Sequence, residues 1–190
     1  DPRNPMRKVL SGGNNKYRSH AYKVNFVGSS SAVNIVPQSP RQDYENYYYG
    51  NDPSKWASKC GIYEKLSYVN LYKSVDMNVY GSSKGIKYDL IVKPGADLSK
   101  VKIFYEGVDD VVLKRNNNIE IHTSISTVVE LKPYAYQTIN GKDEEVECFY
   151  VLKNDTLSFA LGKGYNPSYP MVIDPELIFS TYTGSTADNW

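Results

Sequence analysis

Between Lys84 and Glu106 the chain reads KGIKYDLIVKPGADLSKVKIFYE, and two runs of period-two hydrophobicity flank a Pro-Gly pair. Ile86 to Val92 carries β-branched and aromatic residues broken by single polar ones, the pattern of a half-buried strand. Pro94 has no N–H to give to a sheet ladder and Gly95 tolerates positive φ, so Lys93 to Asp97 is predicted to turn. A second strand is predicted at Val101–Tyr105, where Val101, Ile103 and Tyr105 alternate with Lys102 and Phe104. The unit is a β-arch or a hairpin, and a chain built from such units is all-β.

The same rhythm runs through the rest of the sequence. HAYKVNFV, from His20 to Val27, places Tyr22, Val24 and Phe26 on one side of a strand, and Val33 to Val36 is a short strand stopped by Pro37 and Pro40. Asn51-Asp52-Pro53-Ser54 is turn chemistry, and Asp52 or Ser54 can cap a single helical turn containing Lys55, Trp56 and Ala57. Strands are expected in Ile62–Leu71 and Val75–Tyr80, with Gly81 to Gly85 as a hairpin loop. Val111–Leu113 and Ile119–Thr123 flank three asparagines, and Val128–Leu131 precedes Pro133. Asn140-Gly141 is the strongest hairpin signal, joining YAYQTI to EVECFYVL. Lys153-Asn154-Asp155 is a further turn, leading into Leu157, Phe159 and Leu161. Short strands at Met171–Ile173 and Ile178–Tyr182 finish the chain. About a dozen short strands with frequent turns predict an antiparallel β-sandwich, or two packed sheets, with little helix. The organisation expected is an extended arm over residues 1–19, a sandwich-like domain over 20–179, and a linker or the start of a further unit over 180–190.

Composition excludes several functional classes. Lys+Arg total 22 against 21 Asp+Glu, so a net charge of +1 offers no bulk attraction for nucleic acid or an anionic membrane surface. No run approaches the roughly 20 apolar residues of a spanning helix. The amino end, DPRNPMRK, lacks the apolar centre of a signal peptide, so a mature or truncated chain is expected. Tyrosine is the unusual residue, 18 against five Phe and two Trp, which suits half-wet sheet faces and also rings that stack on sugars or on a partner protein. Five such rings, Tyr44, Tyr47, Tyr48, Tyr49 and Trp56, crowd around one loop and are the candidate ligand-binding residues. Cys60 and Cys148 are either one disulfide of an exported protein or two small apolar residues.

No catalytic or metal constellation emerges. His20 and His122 lie about a hundred positions apart and the cysteines have no CxxC spacing, so neither zinc nor another cofactor is called for. Asp109-Asp110 and Asp188-Asn189 fit surface turns better than a calcium loop. Asp76 and Asp89, on adjacent predicted strands, are the one carboxylate pair a glycosidase could use, and they belong to no catalytic motif. Asn154-Asp155-Thr156 fits the N-glycosylation sequon, and Asp155-Thr156-Leu157 resembles a short O-glycosylation acceptor of exported Bacteroidetes proteins, so Asn154 and Thr156 are candidate modification sites.

Five stretches together resemble a known family. They are NYYYGNDPSKWAS, with Asn46, Gly50, Asn51, Asp52, Pro53 and Trp56; YVNLYKSVDMNVYG, with Asn70, Tyr72, Val75 and Asp76; IKYDLIVKPGADLSKVKIFYEGVD; KPYAYQTING; and YPMVIDPELIFSTYTGS. In this order they resemble the uncharacterised domain that precedes β-propeller-type SBBP repeats in large exported bacterial proteins, many from Bacteroidetes. The resemblance covers most of Tyr44 to Gly184 and implies an extracellular or cell-surface protein, frequently multidomain and sometimes exported by type IX secretion. STYTGSTADNW, residues 180–190, is similar to the opening of a first SBBP repeat. Family members usually carry strands upstream of the part matching His20, so the resemblance implies a chain that either lacks sheet partners at its front or begins at a cleavage site. The family supplies no catalytic residues to carry over.

The expected function is therefore a non-catalytic structural or adhesion module whose partners are adjacent domains or repeats of the same polypeptide, surface glycans or other cell-surface proteins. The alternative is a carbohydrate-binding module using the Tyr44–Trp56 rings, and an enzyme ranks third. Neither nucleic-acid binding nor membrane insertion is expected.

Overall fold

The computed structural model describes residues 18–82 and 85–179, so the arm before residue 18 and the SBBP-like segment 180–190 lie outside the described residues. The fold is all-β, with three antiparallel sheets that do not close into a barrel, as a sandwich requires. The largest sheet has seven strands: β2 (Asn34–Tyr47), β3 (Ala57–Tyr72), β4 (Val75–Ser82), β5 (Gly85–Val92), β10 (Tyr134–Ile139), β11 (Lys142–Val146) and β14 (Met171–Asp174). Their spatial order is β11-β10-β14-β5-β4-β3-β2. A four-stranded sheet, ordered β1-β6-β13-β12, contains β1 (Lys23–Phe26), β6 (Ile103–Glu106), β12 (Cys148–Lys153) and β13 (Thr156–Leu161). A second, ordered β15-β9-β8-β7, contains β7 (Asp110–Leu113), β8 (Ile119–His122), β9 (Thr127–Glu130) and β15 (Leu177–Phe179).

All three sheets feed one core. Alternation sends Val75, Met77, Leu90, Val92, Met171 and Ile173 inward from the large sheet, to meet Ile103, Tyr105, Leu157 and Phe159 of one small sheet and Ile119, Ile121 and Val128 of the other. The Lys84–Glu106 segment links two sheets. Tyr88, Leu90 and Val92 occupy one face of β5 as the pattern predicts, but β5 pairs with β4 and β14 whereas β6 pairs with β1 and β13. The unit is thus an arch, not a hairpin. Val101 is fully buried in phase with Ile103 and Tyr105, yet it closes a 3-10 turn at Leu98–Lys100 and is not part of a strand. Asp97 caps that turn through the Ser99 amide.

Gly95 has φ +79°, as the Pro-Gly turn anticipates, and a Cβ built there would meet nothing within 4 Å. The cost of a side chain at this position is therefore conformational alone. Gly95→Val is expected to destabilise the fold by roughly 1–2 kcal/mol, the penalty of forcing a β-carbon into the left-handed region. A thermal melt reads the change directly, and an unaltered midpoint would mean that the turn relaxes to negative φ.

Several hairpins follow their turn chemistry. Asn140 and Gly141, at φ 53° and 78°, make a two-residue turn with Ile139 opposite Lys142, the mirror-image geometry that matches strand twist. Asn154 and Asp155 do the same between Lys153 and Thr156, and β7–β8 closes around Asn117, with φ 64°. Among the described residues, three expectations are corrected. First, β2 does not stop at Pro37 or Pro40: it runs for 14 residues as the outermost strand of its sheet, the place in a sheet where proline is tolerated. Second, the strand expected at Ile62–Leu71 is part of the 16-residue β3, in which Asn70 forms a bulge with φ 57° and its amide bonded to Asp76 Oδ1. Third, EVECFYVL is two strands in two sheets. The chain changes sheet at Glu147, whose backbone bonds Gly162 and Lys163, while Val146 and Cys148 on either side are both buried.

Candidate functional site

Among the described residues, two places combine chemistry with access. The first is the far end of the β2–β3 hairpin. β3 pairs with β4 only from Lys65 to Tyr72, so from Tyr63 back to Ala57 its registered partner is β2 alone. The result is a two-stranded ribbon reaching past its sheet, broken by irregular register between Pro40 and Tyr44 and between Glu45 and Tyr47. Asp52 caps a 3-10 turn at Pro53–Lys55 by accepting from the Ser54 amide at 3.1 Å and hydroxyl at 2.7 Å, and these bonds hold its carboxyl below the usual range. The helical turn expected here ends at Lys55, with Trp56 and Ala57 already extended.

The ribbon carries all five predicted aromatic residues, and all are exposed: Tyr49 at 78%, Tyr48 at 59%, and Tyr44, Tyr47 and Trp56 near half. Four of them fall into two pairs. Tyr48 meets Trp56 edge to face with centroids 5.6 Å apart and planes at 77°, and the Trp56 Nε1–H donates to the Gly50 carbonyl at 3.3 Å. Tyr47 and Tyr49 lie 6.2 Å apart at 37°. Asn46 ties the two strands together by accepting from the Lys59 amide. Tilted pairs of this kind present edges and corners, not the flat coplanar platform on which a sugar ring stacks. They suit a contoured protein partner, where tyrosine and tryptophan are enriched.

The second place is an apolar cleft of about 480 Å³ where the β1–β6 edge of one sheet faces β3, β4 and β5. Tyr22, Val24 and Phe26 line one wall, in the common phase their spacing predicts, and Met77, Val79, Ile86 and Tyr88 line the other. At its inner end sits Glu130, 1% exposed on β9. Its Oε1 accepts from the Tyr88 hydroxyl at 2.5 Å and its Oε2 from the Tyr105 hydroxyl at 2.8 Å. The buried Tyr150 hydroxyl lies near enough to favour the carboxylate but completes no hydrogen bond of good geometry. Burial raises the Glu130 carboxyl above its ordinary range despite those donors, and burial together with the neighbouring carboxylate raises all three phenols well above theirs. Sequence reading passed over this cluster. Its trace is an acid in phase with Val128 on the inward face of β9, a position where alternation calls for an apolar residue.

The remaining predicted positions are scattered. Cys60 lies on the ribbon and Cys148 in the core of another sheet; both thiols are free, so the disulfide raised as one of two readings is not formed. Burial pushes the Cys148 thiol up to about 12. Asp76 pairs with Lys93 at 2.6 Å and Asp89 accepts from the Tyr80 hydroxyl at 2.9 Å, so each carboxylate is engaged on its own. His20 bonds the Gly107 carbonyl and Ser124, and His122 contacts Thr127 and Glu120. Among the described residues no three His, Cys, Asp or Glu side chains come together in a way that could hold a metal. Asn154 and Thr156 sit at the β12–β13 hairpin tip, with the Asn154 side chain exposed.

Comparison with known proteins adds one finding. A family model described as "Domain of unknown function (DUF7948)" matches residues 3–176. No curated protein and no solved structure matches the chain.

Proposed function

Because the chain belongs to the DUF7948 family of domains, we propose that it is a non-catalytic structural or adhesion module of an exported, cell-surface polypeptide, using the β2–β3 ribbon to contact a neighbouring domain or surface protein. One observation carries this reading: five aromatic side chains stand exposed on a ribbon that no other strand of the described chain covers. An exposed aromatic cluster of this kind costs solubility unless a partner covers it. The five-motif resemblance to the domain ahead of SBBP repeats supports an exported, multidomain setting, in which the natural partner is an adjacent repeat of the same polypeptide. The separate engagement of Asp76 and Asp89 supports the non-catalytic part.

Limited proteolysis tests the reading. In a longer polypeptide that includes the residues following Trp190, the stretch from Tyr44 to Trp56 is expected to resist cleavage. The 190-residue chain should be cut there, and Tyr48→Ala with Tyr49→Ala should restore cutting in the longer form. Equal susceptibility in all three would remove the ribbon as a contact surface. A glycan array on the same proteins addresses the carbohydrate reading, which the tilted rings disfavour. Binding lost on changing Tyr47, Tyr48 and Tyr49 to alanine would reinstate it.

A further inference from the structure

We propose that the cleft between β1–β6 and β3–β5 is a binding site for a small aralkylammonium ligand, its apolar body held between the walls and its ammonium on the Glu130 carboxylate. This site is independent of the ribbon and of its role. The cleft volume of about 480 Å³ falls in the range of about 300–1,000 Å³ typical of small-molecule sites. Its walls are those of a ligand pocket, predominantly apolar and aromatic, with polar atoms converging at one point.

Charge selects the class of ligand. A buried carboxylate in an apolar setting requires a proton, a counterion or a full set of donors. Tyr88 and Tyr105 donate one hydrogen bond to each oxygen and the nearby Tyr150 hydroxyl completes none, so the carboxylate keeps acceptor capacity. No lysine, arginine or histidine among the described residues lines the cleft. The titratable groups that face Glu130 are Tyr22, Tyr88, Tyr105 and Tyr150, phenols kept neutral at physiological pH. The described residues thus surround the acid with neutral donors and supply no cation at the cleft. An ammonium brings three donors and the missing charge, and the aromatic lining of Tyr22, Phe26, Tyr68 and Tyr88 suits a cation with an apolar body. An anionic ligand would meet a like charge, and a neutral one would leave the carboxylate uncompensated.

Titration calorimetry of the whole chain with phenylbutylamine, phenylbutanol and phenylbutyrate at neutral pH tests the assignment. Saturable one-to-one binding of the amine is expected, at least roughly tenfold tighter than the alcohol, as befits a desolvated charge pair, with no binding of the acid. Affinity for the amine should fall as the pH is lowered and Glu130 takes up its proton. Glu130→Gln should abolish the preference for amine over alcohol. Ile86→Lys, at an exposed position on the cleft mouth, leaves the core untouched and should weaken the amine by like-charge repulsion even if Glu130→Gln fails to fold. No saturable amine binding, equal affinity for amine and alcohol, or an unchanged affinity in Ile86→Lys would each overturn the proposal.

Discussion

Glu130→Leu is expected to cost about 2–6 kcal/mol of folding stability, because each hydroxyl of Tyr88 and Tyr105 left without its acceptor forfeits about 1–3 kcal/mol. Leucine fills much the same space, so the loss is polar in origin. The rescue is therefore diagnostic. Adding Tyr88→Phe and Tyr105→Phe removes the orphaned donors with the acceptor, and the triple variant should recover most of the stability, since an apolar replacement of a whole buried polar cluster is often neutral. Denaturant unfolding of the wild type, the three single variants and the triple variant gives the comparison. If the triple variant is as unstable as the three separate losses summed, the cluster is not one unit. The wild-type carboxyl also leaves a signature in pH. Its folded pKa is raised above the unfolded value, so the stability it contributes is fully present below about pH 4.5 and is lost as pH rises through the folded value. Glu130→Leu should lack that slope.

The second large effect is expected at high pH. Tyr88, Tyr105 and Tyr150 have folded pKa values well above the ordinary 10.0 of a phenol, chiefly because burial disfavours the phenolate and secondly because Glu130 repels it. The sign follows from proton binding. Above pH 10 the unfolded chain releases these three protons and the folded chain keeps them, so alkali pulls toward unfolding. Each group is worth about 1.4 kcal/mol per pH unit, and three together give a slope of about 4 kcal/mol per pH unit. Cys148 begins the decline near pH 9, its ordinary value, since its folded pKa is about 12. Between pH 8 and 11 the fall attributable to these groups should thus begin near pH 9 and steepen from pH 10, with Tyr105→Phe flattening it by about one proton. Urea titrations from pH 8 to 11 measure it. A stability independent of pH over that range would show that the phenols ionise in the folded state.

Much of this architecture was legible in the chain because it is local. Two-residue periodicity located most strands, and residues able to take positive φ located the turns: Asn140-Gly141 and Gly95 do what their backbones allow in any context. The crowding of Tyr44, Tyr47, Tyr48, Tyr49 and Trp56 around one loop was equally plain, since a loop holds its neighbours together. Long-range pairing decided what was not legible. Pro37 and Pro40 end a central strand but not an outermost one, and which strand is outermost depends on partners far away in sequence. The arch at Pro94-Gly95 cannot be told from a hairpin, nor the change of sheet at Glu147 from one continuous strand, until the partners of β6 and β12 are known. Cys60 and Cys148 illustrate the same limit, for an even count permits a bridge and only their placement on separate sheets leaves both thiols free.

The sequence alone therefore determined the all-β class, the turns and the aromatic loop, because alternation and φ preference act over a few residues. Tertiary structure alone decided that the loop stands on a ribbon reaching beyond its sheet, and that Glu130 meets Tyr88 and Tyr105 in the core. Those three residues come from three different sheets. Their chemistry exists only where folding brings the sheets together and takes water away, and no local pattern records a contact between residues so far apart in the chain.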